Sequence, residues 1–142
     1  MHLGKKTKMK KAVVLILSLL ILSCQKDDMK IEYSLPTPEG LIQWDILKVE
    51  GENSINVNDT LVLDVYCPRA SSCDYISVLQ SDDYGSKILV KAFGNTDTDS
   101  PCLLFALPQV IIYKFVADKE GVYTLEFIKR DDTVITFKIN AK

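Results

Sequence analysis

From residue 41 to the C-terminus the chain repeats one pattern: short runs of alternating apolar and polar residues, separated by Gly, Asn and Asp clusters. Alternation at period two places one set of side chains on each face of an extended strand, whereas an amphipathic helix needs apolar residues at i, i+3 and i+4. No helical stripe of any length appears. Such a chain can bury its apolar residues only by packing strands into sheets.

The alternation predicts a first strand over 44–49, then a turn-rich connection over 51–59 with a strand-like patch at Ile55 and Val57. Over 61–66, Leu61, Leu63 and Val65 fall on one side. Strands over 75–80 and 87–93 are joined across 81–86, and Ile88, Val90 and Ala92 share a face. Residues 94–101 are a loop by composition. Over 110–116, Ile111, Tyr113 and Phe115 lie together. A hairpin over 122–129 and 134–139 closes the chain, with Tyr123, Leu125 and Phe127 on one set and Ile135, Phe137 and Ile139 on the other. About seven short strands in roughly 100 residues describe an all-β, antiparallel sandwich of immunoglobulin-like type over residues 41–142.

Ahead of this domain, residues 1–11 are basic and residues 12–22 (AVVLILSLLIL) are apolar. Eleven residues at about 1.5 Å each fall well short of a ~30 Å hydrocarbon core, which predicts a signal peptide over 1–23. Ile21-Leu22-Ser23-Cys24 resembles the lipobox of bacterial lipoproteins, with an aliphatic residue, a small residue and then Cys. That resemblance implies cleavage after Ser23 and a diacylglycerol and N-acyl (palmitate-type) anchor on Cys24, which binds the membrane durably. Gln25-Lys26-Asp27-Asp28 resembles the Lys/Asp-rich export signal of Bacteroidetes-type surface lipoproteins. It implies the outer face of the outer membrane, with the periplasmic face as the alternative. Residues 24–40, ending in Pro36-Thr37-Pro38-Glu39-Gly40, are expected to act as a stiff tether.

Charge and histidine content then remove whole classes of function. The chain has 17 Lys+Arg and 19 Asp+Glu. All five lysines of residues 1–11 precede Cys24 and no acid does, so the mature part carries 12 basic residues against 19 acidic ones, a net of −7. An acidic domain is a poor match for nucleic acid. The one histidine, His2, lies in the leader. The mature part therefore lacks every catalytic triad and metal site that depends on imidazole.

Beyond Cys24 there are three cysteines, Cys67, Cys73 and Cys102. An oxidising envelope favours one disulfide and one leftover thiol. Cys73 and Cys102 both sit at loop–strand junctions, and joining them would stabilise the fold by ~3–4 kcal/mol on loop entropy. Cys67–Cys102 and Cys67–Cys73 remain open. Three thiols without a CxxC spacing do not make a zinc site, and a catalytic Cys would lack its base.

Other motifs carry little. Asn95-Thr96-Asp97-Thr98-Asp99 alternates like a calcium loop, but Ser100 and Ala106 stand where the turn glycine and bidentate Glu belong. The acid pairs Asp82/Asp83 and Asp131/Asp132 sit at hairpin tips, not across a cleft. Asp59-Thr60-Leu61 and Asp132-Thr133-Val134 resemble the short O-glycosylation sites of such bacteria. Trp44, Tyr66, Tyr75 and Tyr84 are the aromatics that could serve a ligand.

The segment Asp118-Lys119-Glu120-Gly121-Val122-Tyr123-Thr124-Leu125 resembles the tyrosine corner of immunoglobulin-like domains, in which a Tyr bonds back to the preceding turn. Gly121-Val122-Tyr123-Thr124-Leu125-Glu126-Phe127 also resembles the G-x-Y-T-x-x-F strand of small Bacteroidetes-type lipoproteins. These features point to a non-enzymatic, lipid-anchored module that binds a protein or glycan and needs no cofactor or metal. The alternative is a structural accessory subunit of an outer-membrane or periplasmic complex.

Overall fold

The computed structural model describes residues 35–142, which contain no helix and nine strands. These are β1 (Ile42–Trp44), β2 (Lys48–Gly51), β3 (Ser54–Ile55), β4 (Thr60–Cys67), β5 (Asp74–Asp83), β6 (Lys87–Thr96), β7 (Gln109–Val116), β8 (Gly121–Ile128) and β9 (Val134–Ala141). The larger sheet runs β1-β6-β8-β9-β3, with β5 on the other side of β6. The smaller sheet runs β2-β4-β7. This two-sheet sandwich is consistent with the immunoglobulin-like class expected from the alternation.

Between the sheets lies one core. Leu61, Leu63, Val65 and Cys67 of β4 and Tyr113 and Phe115 of β7 meet Ile88, Val90 and Ala92 of β6, Tyr123, Leu125 and Phe127 of β8, and Ile139 of β9. Two edge-to-face ring pairs cross it, Tyr113–Phe127 at 5.8 Å and Phe115–Tyr123 at 5.1 Å. That geometry sets the positive ring edge against the negative face. The expected tyrosine corner is present: Tyr123 Oη donates to Asp118 Oδ1 at 2.7 Å and accepts the Lys119 N–H at 3.2 Å. Its hydroxyl holds the Asp118 carboxyl below the usual range.

Three features differ from the sequence pattern. The single strand expected over 44–49 is two strands in different sheets. Asp45 Oδ1 accepts the Ile46 N–H at 2.9 Å, and the Leu47 N–H turns to Tyr66 O at 2.7 Å, so the chain crosses the core at fully buried Ile46. Pairing is not purely antiparallel either, because β6·β8 and β3·β9 are parallel. Between β6 and β8 the chain passes once through the opposite sheet as β7, and two reversals restore its direction. Third, the fold reaches back into the expected tether. Leu35 is buried, and Leu41 N–H closes a turn on Pro38 O at 3.1 Å, with Gly40 at φ 75°. A type II turn requires that positive φ at its third residue.

A bulge interrupts the larger sheet. The β5·β6 register slips between Ile76 and Val78. Gly94 lies opposite, and a Cβ there would strike Tyr75 O and come within 2.9 Å of Ile76 Cα. The backbone groups of Ile76 are bound from the other sheet by one side chain: Gln109 Oε1 accepts its N–H and Gln109 Nε2 donates to its C=O, both at 2.9 Å.

Candidate interaction loop

The connection from β6 to β7, residues 97–108, starts beside a buried carboxylate. Asp74 is the one charged side chain found buried among the described residues. Its Oδ2 accepts the N–H groups of Ala70 and Ser71, each at 2.8 Å, and its Oδ1 accepts Thr96 Oγ1 at 2.8 Å. The Thr96 hydroxyl foremost, then the two backbone donors, lower its pKa below the usual carboxylate value. Such a carboxylate fixes the β4–β5 loop against the end of β6.

Cys73, next to Asp74, forms the disulfide to Cys102 across 29 residues of sequence, with the Cα atoms 5.4 Å apart. Of the three pairings open in the sequence, this is the one formed. Cys67 is the remaining thiol. It is fully buried, and desolvation, aided by the Asp45 charge, pushes its pKa up to about 12.

Three further bonds hold the base of the loop. Ser72 N–H donates to Leu103 O at 2.9 Å, Leu103 N–H donates to Ser72 Oγ at 2.9 Å, and Arg69 Nε donates to Leu107 O at 2.9 Å. The tip they support is apolar and open to solvent: Leu103 is 72% exposed, Leu104 92%, Phe105 82% and Leu107 70%. Pro101 and Pro108 bracket it, and residues 101–113 carry no charge. Four neighbouring large apolar side chains at such exposure exceed the singly scattered apolar residues of an ordinary surface.

The apolar surface continues onto β7, the edge strand of the smaller sheet. Val110, Ile112 and Val116 point outward at 44–52% exposure with Lys114 between the last two, and Val62 of neighbouring β4, opposite Lys114, joins them at 48%.

The other candidates do not gather into a site. Cys24, Gln25, Lys26, Asp27 and Asp28 lie outside the described residues. Trp44 packs against the core, with its indole N–H on Pro68 O at 2.6 Å. Tyr66 lies on the outer face of the smaller sheet with Lys48 Nζ 4.2 Å from its ring centre, and Lys48 also pairs with Glu50 at 2.8 Å. Tyr75 opens β5 while Tyr84 lies beyond its far end, so the aromatics form no shared platform. In the calcium-like stretch, Asp97 binds Asp99 N–H at 2.9 Å and Ser100 Oγ at 3.0 Å. Asp83 caps Gly85 N–H at 2.7 Å, and Asp131 holds the Thr133 N–H at 3.1 Å, so both acid pairs serve their turns.

Comparison with known proteins adds no relative: no family model, no curated protein and no solved structure matches the chain.

Cysteine placement in the sequence points to the disulfide, whereas strand patterning passes over Leu103, Leu104, Phe105 and Leu107. A signal for them exists. An apolar run closed by proline at both ends cannot enter a central strand.

Proposed function

We propose that this chain is a lipid-anchored, non-enzymatic interaction module of the bacterial outer membrane, displayed on its outer face and holding a protein partner. The reading of location rests on Cys24 and the Gln25, Lys26, Asp27 and Asp28 run. The reading of function rests on one observation, the exposed side chains of Val110, Ile112 and Val116 on edge strand β7, set around Lys114, with Val62 of β4 beside them. Such a patch suits a protein surface, since a glycan site calls for clustered aromatic rings and the exposed tyrosines are dispersed.

Each half has its own test. Cys24→Ala should abolish acyl labelling and release the chain from membranes; unchanged retention would remove the anchor from the reading. A photo-crosslinking residue in place of Ile112, activated on intact cells, should give a discrete protein adduct. A chain that crosslinks to nothing would refute the partner.

A further inference from the structure

From the position of the loop we infer that residues 103–107 form a second membrane contact, a disulfide-held wedge that enters the interfacial region of the bilayer carrying the Cys24 anchor. This wedge presupposes the proposed anchor at Cys24 and is independent of the β7 partner.

The chain enters the fold beside the loop. Gly40 O accepts Asn95 Nδ2 at 3.3 Å. Asn95 is paired with Tyr75 of β5, and two residues on, Asp97 N–H donates to Cys73 O at 3.0 Å. Cys73 carries the disulfide to Cys102 at the base of the loop. The N-terminal entry and the apolar tip therefore share one end of the sandwich. The hairpin at Tyr84 and the Tyr123 corner occupy the opposite end.

Ten residues lie between Cys24 and Leu35, where the fold begins, a span of at most roughly 40 Å when fully extended. So short a tether biases the entry end of the sandwich towards the lipid. The loop is then the part of the domain that arrives at the bilayer.

The chemistry of the tip fits that surface. Leu and Phe side chains with no charge among them partition into the interfacial zone, while cationic residues are needed only for anionic headgroups. Beside the loop stand two acids, Asp97 and Asp99, and one cation, Arg69, which donates to Leu107 O, so the contact rests on the apolar tip and not on a basic cluster. Interfacial depth also suits an irregular loop, because its free backbone groups still meet water there. Pinning by Cys73–Cys102, Ser72 and Arg69 keeps the apolar tip from folding back on the domain.

The test uses the acylated protein purified from membranes and reconstituted in phosphatidylcholine vesicles. Phe105→Trp adds a reporter at the tip, and Tyr84→Trp adds one at the far end. The unsubstituted protein, with Trp44 alone, supplies the baseline. A wedge gives a blue-shifted Phe105→Trp signal that is strongly quenched by brominated acyl chains, with the Tyr84→Trp signal unshifted and unquenched. Protein that floats with vesicles while the Phe105→Trp signal stays red and unquenched would overturn the wedge and leave the anchor standing. Equal quenching at both ends would overturn the end-on placement. Failure to float at all would overturn anchor and wedge together. A photo-crosslinker at position 105 separates the remaining occupant: a phospholipid adduct supports the wedge, and an adduct to protein alone refutes it.

Discussion

Removing the Cys73–Cys102 bridge is the most direct perturbation of the loop, and its size follows from the chain separation. The disulfide closes 29 residues. On the loop-entropy relation this restricts the unfolded chain by about 12 cal/mol/K, or roughly 3.6 kcal/mol at 25 °C. A double Cys73→Ala, Cys102→Ala variant should lose about that much. Little native structure should change, because Cys102 is exposed and the bonds from Ser72 and Arg69 still hold the loop. With a urea m-value of about 1.5 kcal/mol/M, the midpoint falls by roughly 2 M. Urea titration followed by Trp44 fluorescence measures this, with near-ultraviolet circular dichroism as the check on native packing. A midpoint within about 0.5 M of the parent would refute the entropic account, since most of the predicted loss would be missing.

Three other perturbations probe the supports of the site. Because Cys67 is raised to about 12 in the folded state, the fold binds a proton that the unfolded chain releases from about pH 9. Stability should therefore fall between pH 9 and 12, and Cys67→Ala should flatten that limb of a pH–stability curve; an unchanged slope argues against it. Asp74 has the opposite sign. Its lowered carboxyl stabilises above the ordinary Asp range, and that contribution disappears as pH falls through the folded-state value. Asp74→Asn should cost on the order of 2 kcal/mol at neutral pH and remove part of the acid limb, measured by urea titration at stepped pH. Gly94→Ala forces a methyl group onto Tyr75 O at the bulge. It should cost about 2–3 kcal/mol in thermal unfolding, and a silent substitution would show that the bulge can open freely.

Much of the fold was legible because period two survives wherever one face is buried. Leu61, Leu63 and Val65, then Tyr123, Leu125 and Phe127, are buried in the phase that the alternation sets. The split at Asp45 was not legible. Trp44 and Ile46 stay in phase while the chain changes sheet, and a two-residue period carries no record of which sheet a strand joins. In β6 the alternation fails altogether, because Leu89 and Phe93 on its outer face are as buried as Ile88 and Val90. A strand buried on both faces reads as a continuous apolar run.

The site was legible only at its covalent tie. The pairing of Cys73 with Cys102 holds, although only Cys73 sits at a loop–strand junction and Cys102 lies inside the 97–108 connection. Asp74 and Gln109 act through partners such as Thr96 and Ile76, which are distant in sequence, and no local pattern marks such contacts.

The bond pair from Gln109 to Ile76 bears on whether copies of this domain join edge to edge. Strands at a sheet edge invite a neighbouring chain to add its own, and crowding raises the rate of such encounters. Here one amide occupies both the N–H and the C=O that an incoming strand would use first at the bulge of β5. The same residue that joins the two sheets thus guards the open side of β5 at that point. Replacing it with an apolar residue would leave a docking rung for another copy of the chain.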